Sequence, residues 1–592
     1  MPKQTLLKRF LIWKYKHISE KNFTFILSGL VGFLAGLAAV TLRNITFYIE
    51  SLLELLRSLT TNQWYFILPT IGLLLVYWLV KYVTKKPISH AIPSILYKLS
   101  KRSGIIERTK IYIPLIAAPL TVGFGGSVGL LGPAIASGSA ISSNLGRLFH
   151  VNQKARSLLI GCAAAGAISS IFKSPIAAII FAIEVFSLDL TFVSLLPLLI
   201  ASVSSVLTSY FFLGDDLLFN FKSSDKFQIN DTLFYVVLGI GTGIASIYFT
   251  KMYFFILKQF EIFRTSFQKL LVGGLAIGIM LYFIPPLYGE GFSFINNLLA
   301  ENHLKALGTT PFDAYTDQIW IVIALLIGIT VFKAIAMTTT FAAGGVGGIF
   351  IPTMVMGSAL GNVVAKIINQ LGFNVSETNF TLIGMAGLIA GVLHAPLTAM
   401  FLIAEISGGY ELFIPLMISV GISFAIKKNA IDFTIYTKEL AQKGQLLTHD
   451  KDQSVLTLMN LENIIETNFV TLKSEMTLGE LLHKGVSKST RNIFPVINNE
   501  NALVGIIMLD NVRNIMFDQN LYNTTLVSDL MQNPLEIINF EKDDMKLVMD
   551  KFQNSSAWNL PVIKNNIYIG FVSKSKLLTA YRRQLINFTK QK

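Results

Sequence analysis

Two glycine- and proline-rich breaks interrupt the apolar sequence, and they constrain the fold more than any other feature. The stretch GFGGSVGLLGPAIASGSA occupies residues 123–140, and AAGGVGGIFIPTMVMGSA occupies residues 342–359. Aligned at a constant offset, they share Gly125/Gly344, Gly126/Gly345, Gly129/Gly348, Pro133/Pro352, Gly138/Gly357, Ser139/Ser358 and Ala140/Ala359. A second pair keeps the same order, since residues 164–184 match residues 385–405 at nearly the same offset. Two ordered pairs predict a duplicated unit.

The sequence around these breaks is typical of a membrane protein. It is 52% hydrophobic and only 14% charged, whereas soluble domains carry about 25% charged residues. Runs such as FILSGLVGFLAGLAAVTL and FILPTIGLLLVYWLV reach or approach the roughly 20 residues that cross a bilayer. We therefore predict a polytopic helical protein embedded in a lipid bilayer.

The basic residues indicate membrane topology and not a nucleic-acid partner. The net charge is +14, but the lysines and arginines stand at the ends of apolar runs, as in KRFLIWKYK and KYVTKK. That pattern is typical of cytoplasmic loops that face anionic headgroups. The only cysteine is Cys162, and no Cys/His cluster has metal-ligand spacing, so we expect neither a disulfide nor a metal site.

Breaks at equivalent positions of two halves predict a binding site near the middle of the membrane. Irregular backbone survives in hydrocarbon only where protein or a water-filled cavity satisfies its polar groups. Glycine permits close backbone approach, and proline favours the first turn of the following helix. Helix N-termini with unpaired N–H groups would then point inward, which suits an anion. The alternative is that the glycines serve helix packing alone.

The domain organisation follows from the repeats and from a change of composition near residue 445. We predict a cytoplasmic amphipathic helix at 1–21, a first membrane repeat at 22–212, a connecting loop at 213–231, a second membrane repeat with a terminal pore helix at 232–445, and two soluble α/β domains at 446–520 and 521–592. Each soluble domain should contain a proline-started strand, a polar turn and a second strand, which begins at Gly505 or Gly570.

Four motifs in order give the chain a family resemblance. They are SHAIP (89–93), GLLGP (129–133), GGIFIP (347–352) and TIYTKEL (434–440). With these motifs, residues 22–445 resemble the CLC family of chloride channels and proton-coupled anion antiporters, and the soluble part resembles a pair of CBS domains. The resemblance implies a polytopic α-helical membrane protein with inverted repeats and broken helices, plus a cytoplasmic α/β tandem CBS module.

The resemblance also implies two anion sites along one pathway. The central site would be formed by His90, Ile349, Phe350 and Tyr436. The outer site would be formed by the N–H groups of Leu130, Leu131 and Gly132. His90 replaces the serine that is commonest at its position, and it could instead bond to a nearby carbonyl away from the pathway.

Two departures from the family pattern bear on mechanism. Leu131 stands where the family has its gating glutamate, and Val185 stands where the antiporters have their inner proton-transfer glutamate. Neither side chain can take up a proton, and no other carboxylate lies within residues 123–140. We therefore predict passive, proton-uncoupled, channel-like anion transport, unless Leu131 occludes the pathway. The alternative is a proton-coupled antiporter that uses other acidic residues.

The sequence leaves the anion and the assembly less defined. Chloride is the family default, but fluoride, nitrate or bicarbonate would bind to the same kind of site. We expect a homodimer in the inner or plasma membrane and no enzymatic activity. A CBS-controlled magnesium channel or a membrane enzyme would need acidic or catalytic groups that the repeated motifs lack. Glu184 and Glu405, at matched helix ends, are predicted to cap helices or lie at interfaces.

The soluble pair carries half of a nucleotide-binding pattern in each domain. CBS domains that bind adenine nucleotides show a hydroxyl residue followed three positions later by aspartate. In GIIMLDN (505–511) the hydroxyl is absent and Asp510 comes one residue early; in GFVSKSK (570–576) Ser573 fits but Lys576 replaces the aspartate. Asp510 and Ser573 are therefore the candidate contacts to a possible adenine nucleotide, and we expect no other cofactor. A dimerisation and gating platform is the other interpretation.

Overall fold

The computed structural model describes residues 6–59, 66–84, 91–101, 104–186, 191–214, 219, 227–308, 312, 318–431, 433–442, 456 and 459–590. Its contacts divide the chain into two compact units, Met1–Gln445 and Leu446–Lys592. The first unit is helical and carries the apolar segments. The second unit contains the β-strands of the described residues.

The first half of the membrane unit contains long apolar helices and shorter broken ones. In chain order they are α1 (Leu6–His17), α2 (Glu20–Leu59), α3 (Leu68–Leu79), α4 (Ala91–Lys101), α5 (Thr109–Gly123), α6 (Leu131–Leu148), α7 (Gln153–Phe172), α8 (Pro175–Phe186) and α9 (Phe192–Leu213). A π-helical segment, Val80–Thr84, follows α3. By length and composition, Glu20–Leu55, Gln153–Phe172 and Val193–Leu213 can cross a membrane.

The second half repeats this arrangement. Its helices are α10 (Thr232–Phe260), α11 (Ser266–Phe283), α12 (Phe292–Leu299), α13 (His303–Leu307), α14 (Ile319–Ala342), α15 (Phe350–Gln370), α16 (Glu377–Leu393), α17 (Pro396–Ile406), α18 (Phe413–Ala430) and α19 (Ile435–Gln442). Short 3-10 turns occur at Ile229–Asp231 and Pro285–Leu287. Further candidate spans are Ile229–Phe260, Ser266–Phe283, Ile319–Ala342, Phe350–Gln370 and Phe413–Lys438.

Equivalent helices pack in equivalent ways in the two halves. Helix α7 packs against α2, α6 and α9, and α16 packs against α10, α15 and α18. Close packing in a membrane depends on small residues, because apolar burial against lipid gives little net driving force. At the α15–α16 contact, a Cβ at Gly357 would lie 2.4 Å from the carbonyl oxygen of Gly384. The predicted duplicated membrane architecture with broken helices is thus confirmed.

The second pair of sequence motifs marks a helix break in each half. Helices α7 and α16 end at Lys173 and His394, which have left-handed backbone angles of φ 54° and 55°. The next helices begin at Pro175 and Pro396. Proline suits a first helical position because it lacks an N–H that would be unpaired there. The same break therefore recurs at both places.

The second unit contains two three-stranded sheets of the same topology. The strands are β1 (Leu472–Lys473), β2 (Ile493–Ile497), β3 (Leu503–Met508), β4 (Ile538–Asn539), β5 (Asn559–Lys564) and β6 (Ile567–Ser573). In each sheet the first strand runs parallel to the second, and the second runs antiparallel to the third. The helices are α20 (Leu478–Glu480), α21 (Leu509–Val512), α22 (Val527–Leu530), α23 (Met545–Ser555) and α24 (Lys574–Lys590). A π-helical turn (Leu481–Val486) and 3-10 turns (Leu461–Ile464, Gln519–Leu521) complete the unit.

The prediction that the later strands begin at Gly505 and Gly570 is wrong. Strands β3 and β6 begin earlier, at Leu503 and Ile567, and both glycines lie inside them. Each glycine pairs with a valine beside a register shift in the partner strand. A Cβ at Gly570 would lie 2.5 Å from the carbonyl oxygen of Glu466. These glycines therefore mark close backbone approach and not a strand start.

Candidate anion pathway

The two repeated loops bond directly to each other. The Gly129 N–H donates to the Gly348 carbonyl at 3.0 Å, and the Gly348 N–H donates to the Gly129 carbonyl at 2.7 Å. Side chains would prevent this approach, because a Cβ at Gly348 would lie 2.8 Å from the backbone nitrogen of Gly132. A Cβ at Gly347 would lie 2.3 Å from the Val128 side chain. The glycines of the repeat therefore bring the two halves together at this point.

Two threonines exchange hydrogen bonds between the halves. The Val346 N–H donates to the Thr121 hydroxyl at 3.1 Å, and the Ser127 N–H donates to the Thr340 hydroxyl at 3.2 Å. The residues of one bond occupy the same repeat positions as those of the other. The loops are thus related by approximate two-fold symmetry in their hydrogen bonding as well as in their sequence.

Helices α6 and α15 begin immediately after these loops, with proline in the first turn of each. The first N–H groups of a helix have no intrahelical acceptor and carry a partial positive charge. Neither first turn contains an acidic residue. In the part of the chain that the structure describes, the N–H groups at these two starts that have no protein acceptor include those of Leu131, Gly132, Ile349 and Phe350. The two helix starts thus offer unpaired donors to an anion.

A cavity of about 710 Å³, here called the basic vestibule, reaches both helix starts. Gly132 and Ile349 line it, as does Tyr436 of α19. The charged residues that line it are Lys258, Lys269 and Glu261. Excess positive charge in a cleft raises the local concentration of anions. The cavity is therefore large enough to hold water and small anions next to the two helix starts.

The structure brings together some of the predicted central residues. Ile349 and Tyr436 line the same cavity, and the Phe350 side chain packs against Phe172 and Phe181, with centroids 5.7 and 6.1 Å away. The role predicted for Phe350 concerns its backbone N–H, which this packing holds at the helix start. His90 lies outside the described residues. Tyr253, which sequence reasoning missed, also lines the basic vestibule.

Two of the predicted outer residues belong to the buried apolar core. Leu130 and Leu131 are both buried, at 4% and 0% exposure. Val185, at the predicted inner position, is a half-buried residue of α8 that packs against the apolar core. Leucine and valine bind no protons, so neither position can exchange protons in this chain.

A second cavity, of about 400 Å³, is lined by the loop that follows α11 and is here called the acidic vestibule. Its charged lining residues are Glu50, Glu54, Glu290 and Lys305. Lys269 near the start of α11 lines the basic vestibule, and the loop after α11 lines the acidic one. Helix α11 has 18 residues, a length of about 27 Å. The two vestibules therefore open at opposite ends of a membrane-spanning helix.

Glu290 connects the acidic vestibule to the start of α6. Its carboxylate accepts a hydrogen bond from the Leu130 N–H at 2.7 Å, across 160 residues of sequence. Burial of the carboxyl group raises the pKa of Glu290, and the negative charge of Glu50 acts in the same direction; the Leu130 N–H, Arg43 and Lys333 oppose the shift. A carboxylate from the second half thus lies at the start of α6, bonded to the residue next to Leu131.

The Glu290 loop is held by hydrogen bonds from α14 and from the segment between α5 and α6. The buried Lys333 ammonium donates to the carbonyls of Leu287 and Gly289 at 3.2 and 3.0 Å. The Ser127 hydroxyl also donates to the Leu287 carbonyl, at 2.6 Å. Sequence reasoning missed this group, although a lysine within an apolar run and an acid between two glycines were both visible. Ionisable residues at membrane depth are pointers to function.

Glu184 and Glu405 each cap the start of a helix in the other repeat. Glu184 accepts from the N–H groups of Leu397 and Thr398, at 3.0 and 2.8 Å, at the start of α17. Glu405 accepts from the N–H groups of Ile176 and Ala177, at 3.0 and 2.8 Å, at the start of α8. A carboxylate at a helix N-terminus is stabilising. These contacts match the helix-capping role predicted for both residues.

The candidate nucleotide residues of the soluble unit are engaged within the protein. The Ser573 hydroxyl donates to Glu466 at 2.6 Å, and Asp510 forms an exposed ion pair with Arg513 at 2.7 Å. Burial raises the pKa of Glu466, but the Ser573 hydrogen bond and the charges of Arg491 and Lys576 outweigh it and lower that pKa.

Together these features define a helical membrane protein in which two equivalent helix starts meet beside a cavity. The voltage gated chloride channel family matches residues 72–428, and the CBS domain family matches residues 461–518. A relative from Ralstonia nicotianae named "Putative chloride channel protein ClcB-like" is 24% identical over 437 residues, which are 70% of this chain and 96% of the relative.

Solved structures share the fold. A "slow cyanobacterial Cl-/H+ antiporter" superposes with a TM-score of 0.61 at 20% identity, covering 71% of this chain and 97% of that chain. A "eukaryotic CLC transporter" gives 0.60 at 16% identity, covering 93% and 97%. The chain belongs to the voltage gated chloride channel (CLC) family and carries a C-terminal CBS module. Its class of function is therefore anion transport across a membrane.

Proposed function

We propose that this protein carries chloride or a similar small anion passively, without coupled proton transport. The observation that supports this proposal most is the pair of opposed helix starts, joined through Gly129 and Gly348 and lying between two vestibules. The anion would leave the basic vestibule for the N–H groups of Ile349 and Phe350, with the Tyr436 hydroxyl beside them. It would then pass the start of α6. Neither Leu131 nor Val185 can accept a proton on this route.

A measurement of reversal potential tests the passive mode. The full-length protein is reconstituted in a planar bilayer with a chloride gradient, first at equal pH on both sides and then with an added pH gradient. We expect the reversal potential to follow the chloride gradient alone. A shift that follows the proton gradient would contradict the passive mode.

A second candidate is proton-coupled anion exchange through Glu290. This candidate is supported by the carboxylate on the Leu130 N–H, which could exchange protons with the acidic vestibule. It lacks a proton acceptor at Val185 on the opposite side. The same reversal potentials, measured on Glu290→Gln, separate the candidates, because exchange through Glu290 predicts that this variant loses any proton-driven shift.

Topology and assembly are part of the proposal. The last turn of α1 is basic and contains Lys14, Lys16 and His17. It directly precedes the start of α2, whereas Glu50 lies near the other end of that helix. Basic flanks favour the cytoplasmic side. We therefore propose that the protein lies in the plasma or inner membrane, that the basic vestibule opens to the cytoplasm, and that the CBS module is cytoplasmic. We also propose a homodimer with one pathway per subunit.

We propose that the CBS pair acts first as a platform for gating and subunit contact, with adenine nucleotide as a possible ligand. Ser573 is held by Glu466, so a nucleotide phosphate would have to displace this carboxylate. A shift in thermal unfolding on addition of ATP would support nucleotide binding at this unit.

A further inference from the structure

The strongest unassigned feature is Glu290, which comes from the second repeat and binds the helix start of the first. Its carboxylate accepts a hydrogen bond from the Leu130 N–H at 2.7 Å. The unpaired N–H groups of Leu131 and Gly132 follow at once, and Gly132 faces the basic vestibule. Glu290 itself is half-buried and lines the acidic vestibule. The carboxylate therefore lies between the two cavities, at the donors that a passing anion would use.

We propose that Glu290 is a pH-sensitive gate: its ionised carboxylate competes with the transported anion at the start of α6, and its protonation opens the pathway. This inference rests on the proposed passive anion pathway and adds its regulation. A carboxylate and a halide compete for the same N–H donors, because a helix N-terminus favours negative charge of either kind.

Asymmetry between the repeats distinguishes a gate from a structural cap. At the equivalent position of α15, the Ile349 N–H has no protein acceptor in the described part of the chain. The two structural caps, Glu184 and Glu405, occur instead as a symmetric pair. A helix start of this fold is therefore stable without a carboxylate. The Glu290 contact serves the one helix start that also adjoins the acidic vestibule.

The surroundings give the gate its pH dependence. The charged groups around Glu290 are Glu50, Glu54 and Arg43 of α2, Lys333 of α14 and Lys305 of α13. Enclosure and the nearby Glu50 favour the neutral acid, whereas the two nearest cations favour the ion. A neutral carboxylic acid accepts a weaker hydrogen bond than a carboxylate.

The acidic vestibule has room for the Glu290 side chain when it moves away from the start of α6. The acidic vestibule has a volume of about 400 Å³ beside the side chain. Gly289 and Gly291 flank Glu290 with left-handed φ angles of 54° and 89°. The backbone of this segment is held by Lys333, so opening needs only a rotation of the Glu290 side chain into the vestibule. The loop itself stays in place.

The test measures chloride efflux from liposomes at equal pH on both sides, from mildly alkaline to mildly acidic conditions, because burial raises the pKa of Glu290 to about 8. Wild-type efflux should rise as the pH falls. Glu290→Gln keeps the size and an oxygen acceptor but removes the charge, so its efflux at mildly alkaline pH should be about tenfold higher than wild type and nearly independent of pH. Glu54→Gln removes a charge from the same vestibule without touching α6, so it should keep the wild-type pH response.

Two results would overturn the gate. One is a folded Glu290→Gln protein with the wild-type pH response, and the other is an equal loss of that response in Glu54→Gln. Glu290→Asp keeps the charge and should keep the response, which controls for a structural effect; thermal unfolding checks the fold of each variant. A reversal potential that follows the proton gradient would overturn the passive pathway and leave the gate standing. A folded Glu290→Gln that carries no chloride at any pH contradicts both.

Discussion

Gly348 shows why glycine recurs in the two breaks. Its N–H and carbonyl both bond to Gly129, and its Cα lies against the start of α6. The nearest atom to an added Cβ is a backbone nitrogen, which cannot move aside as the end of a long side chain can. This contact between the two halves therefore depends on the absence of a side chain at position 348.

Gly348→Ala is expected to destabilise the membrane unit. The added Cβ would lie 2.8 Å from the Gly132 nitrogen, and crowding of this kind costs about 1–3 kcal/mol. Thermal unfolding in detergent should show the loss, and anion flux should fall because the two helix starts separate. Gly241→Ala is the matched control: nothing lies within 4 Å of its added Cβ, and alanine favours the helix. Equal stability of the two variants would contradict this packing.

Single residues were predicted well where the chemistry is local. Glycine and proline in the repeats predicted the breaks at Pro133 and Pro352, because each acts on its own backbone. Glu290 was missed because its partner, Leu130, is 160 residues away. A search within residues 123–140 found no substitute carboxylate and could not reveal one supplied by the other repeat.

At the scale of helices, the two repeats stabilise each other through exchanged caps. The first N–H groups of α8 donate to Glu405, and those of α17 donate to Glu184. Each repeat therefore provides the acceptor that a helix start of the other repeat requires. The sequence showed the glutamates at matched helix ends, which supported the capping role. It did not show which helix each one caps, because that depends on how the repeats pack.

Glu405→Gln should weaken this exchange. Glutamine can still accept from Ile176 and Ala177, but the charge at the helix start is lost, which costs about 0.3–2 kcal/mol. Thermal unfolding should show a lower midpoint for this variant and for Glu184→Gln. Glu411→Gln, on an exposed position just beyond α17, controls for the loss of a negative charge. An unchanged midpoint in both cap variants would show that the caps contribute nothing to stability.

At the scale of the whole molecule, membrane embedding, the duplication, the soluble tandem and the CLC family all follow from the sequence and are confirmed. Hydrophobic runs and ordered motifs survive at low identity, because the fold needs their pattern more than their particular residues. The strand starts at Gly505 and Gly570 were wrong, because these glycines serve close packing inside β3 and β6. The opposite charge of the two vestibules was not predicted, since their lining residues come from distant segments.

The central claim is that the starts of α6 and α15 converge on a transported anion. The most direct measurement is anomalous X-ray scattering from crystals of the protein in which bromide replaces chloride. The account predicts a bromide peak within hydrogen-bond distance of the Ile349 and Phe350 N–H groups, beside the Tyr436 hydroxyl. Bromide found only on the outer surface of the protein, with no peak at these helix starts, would contradict it.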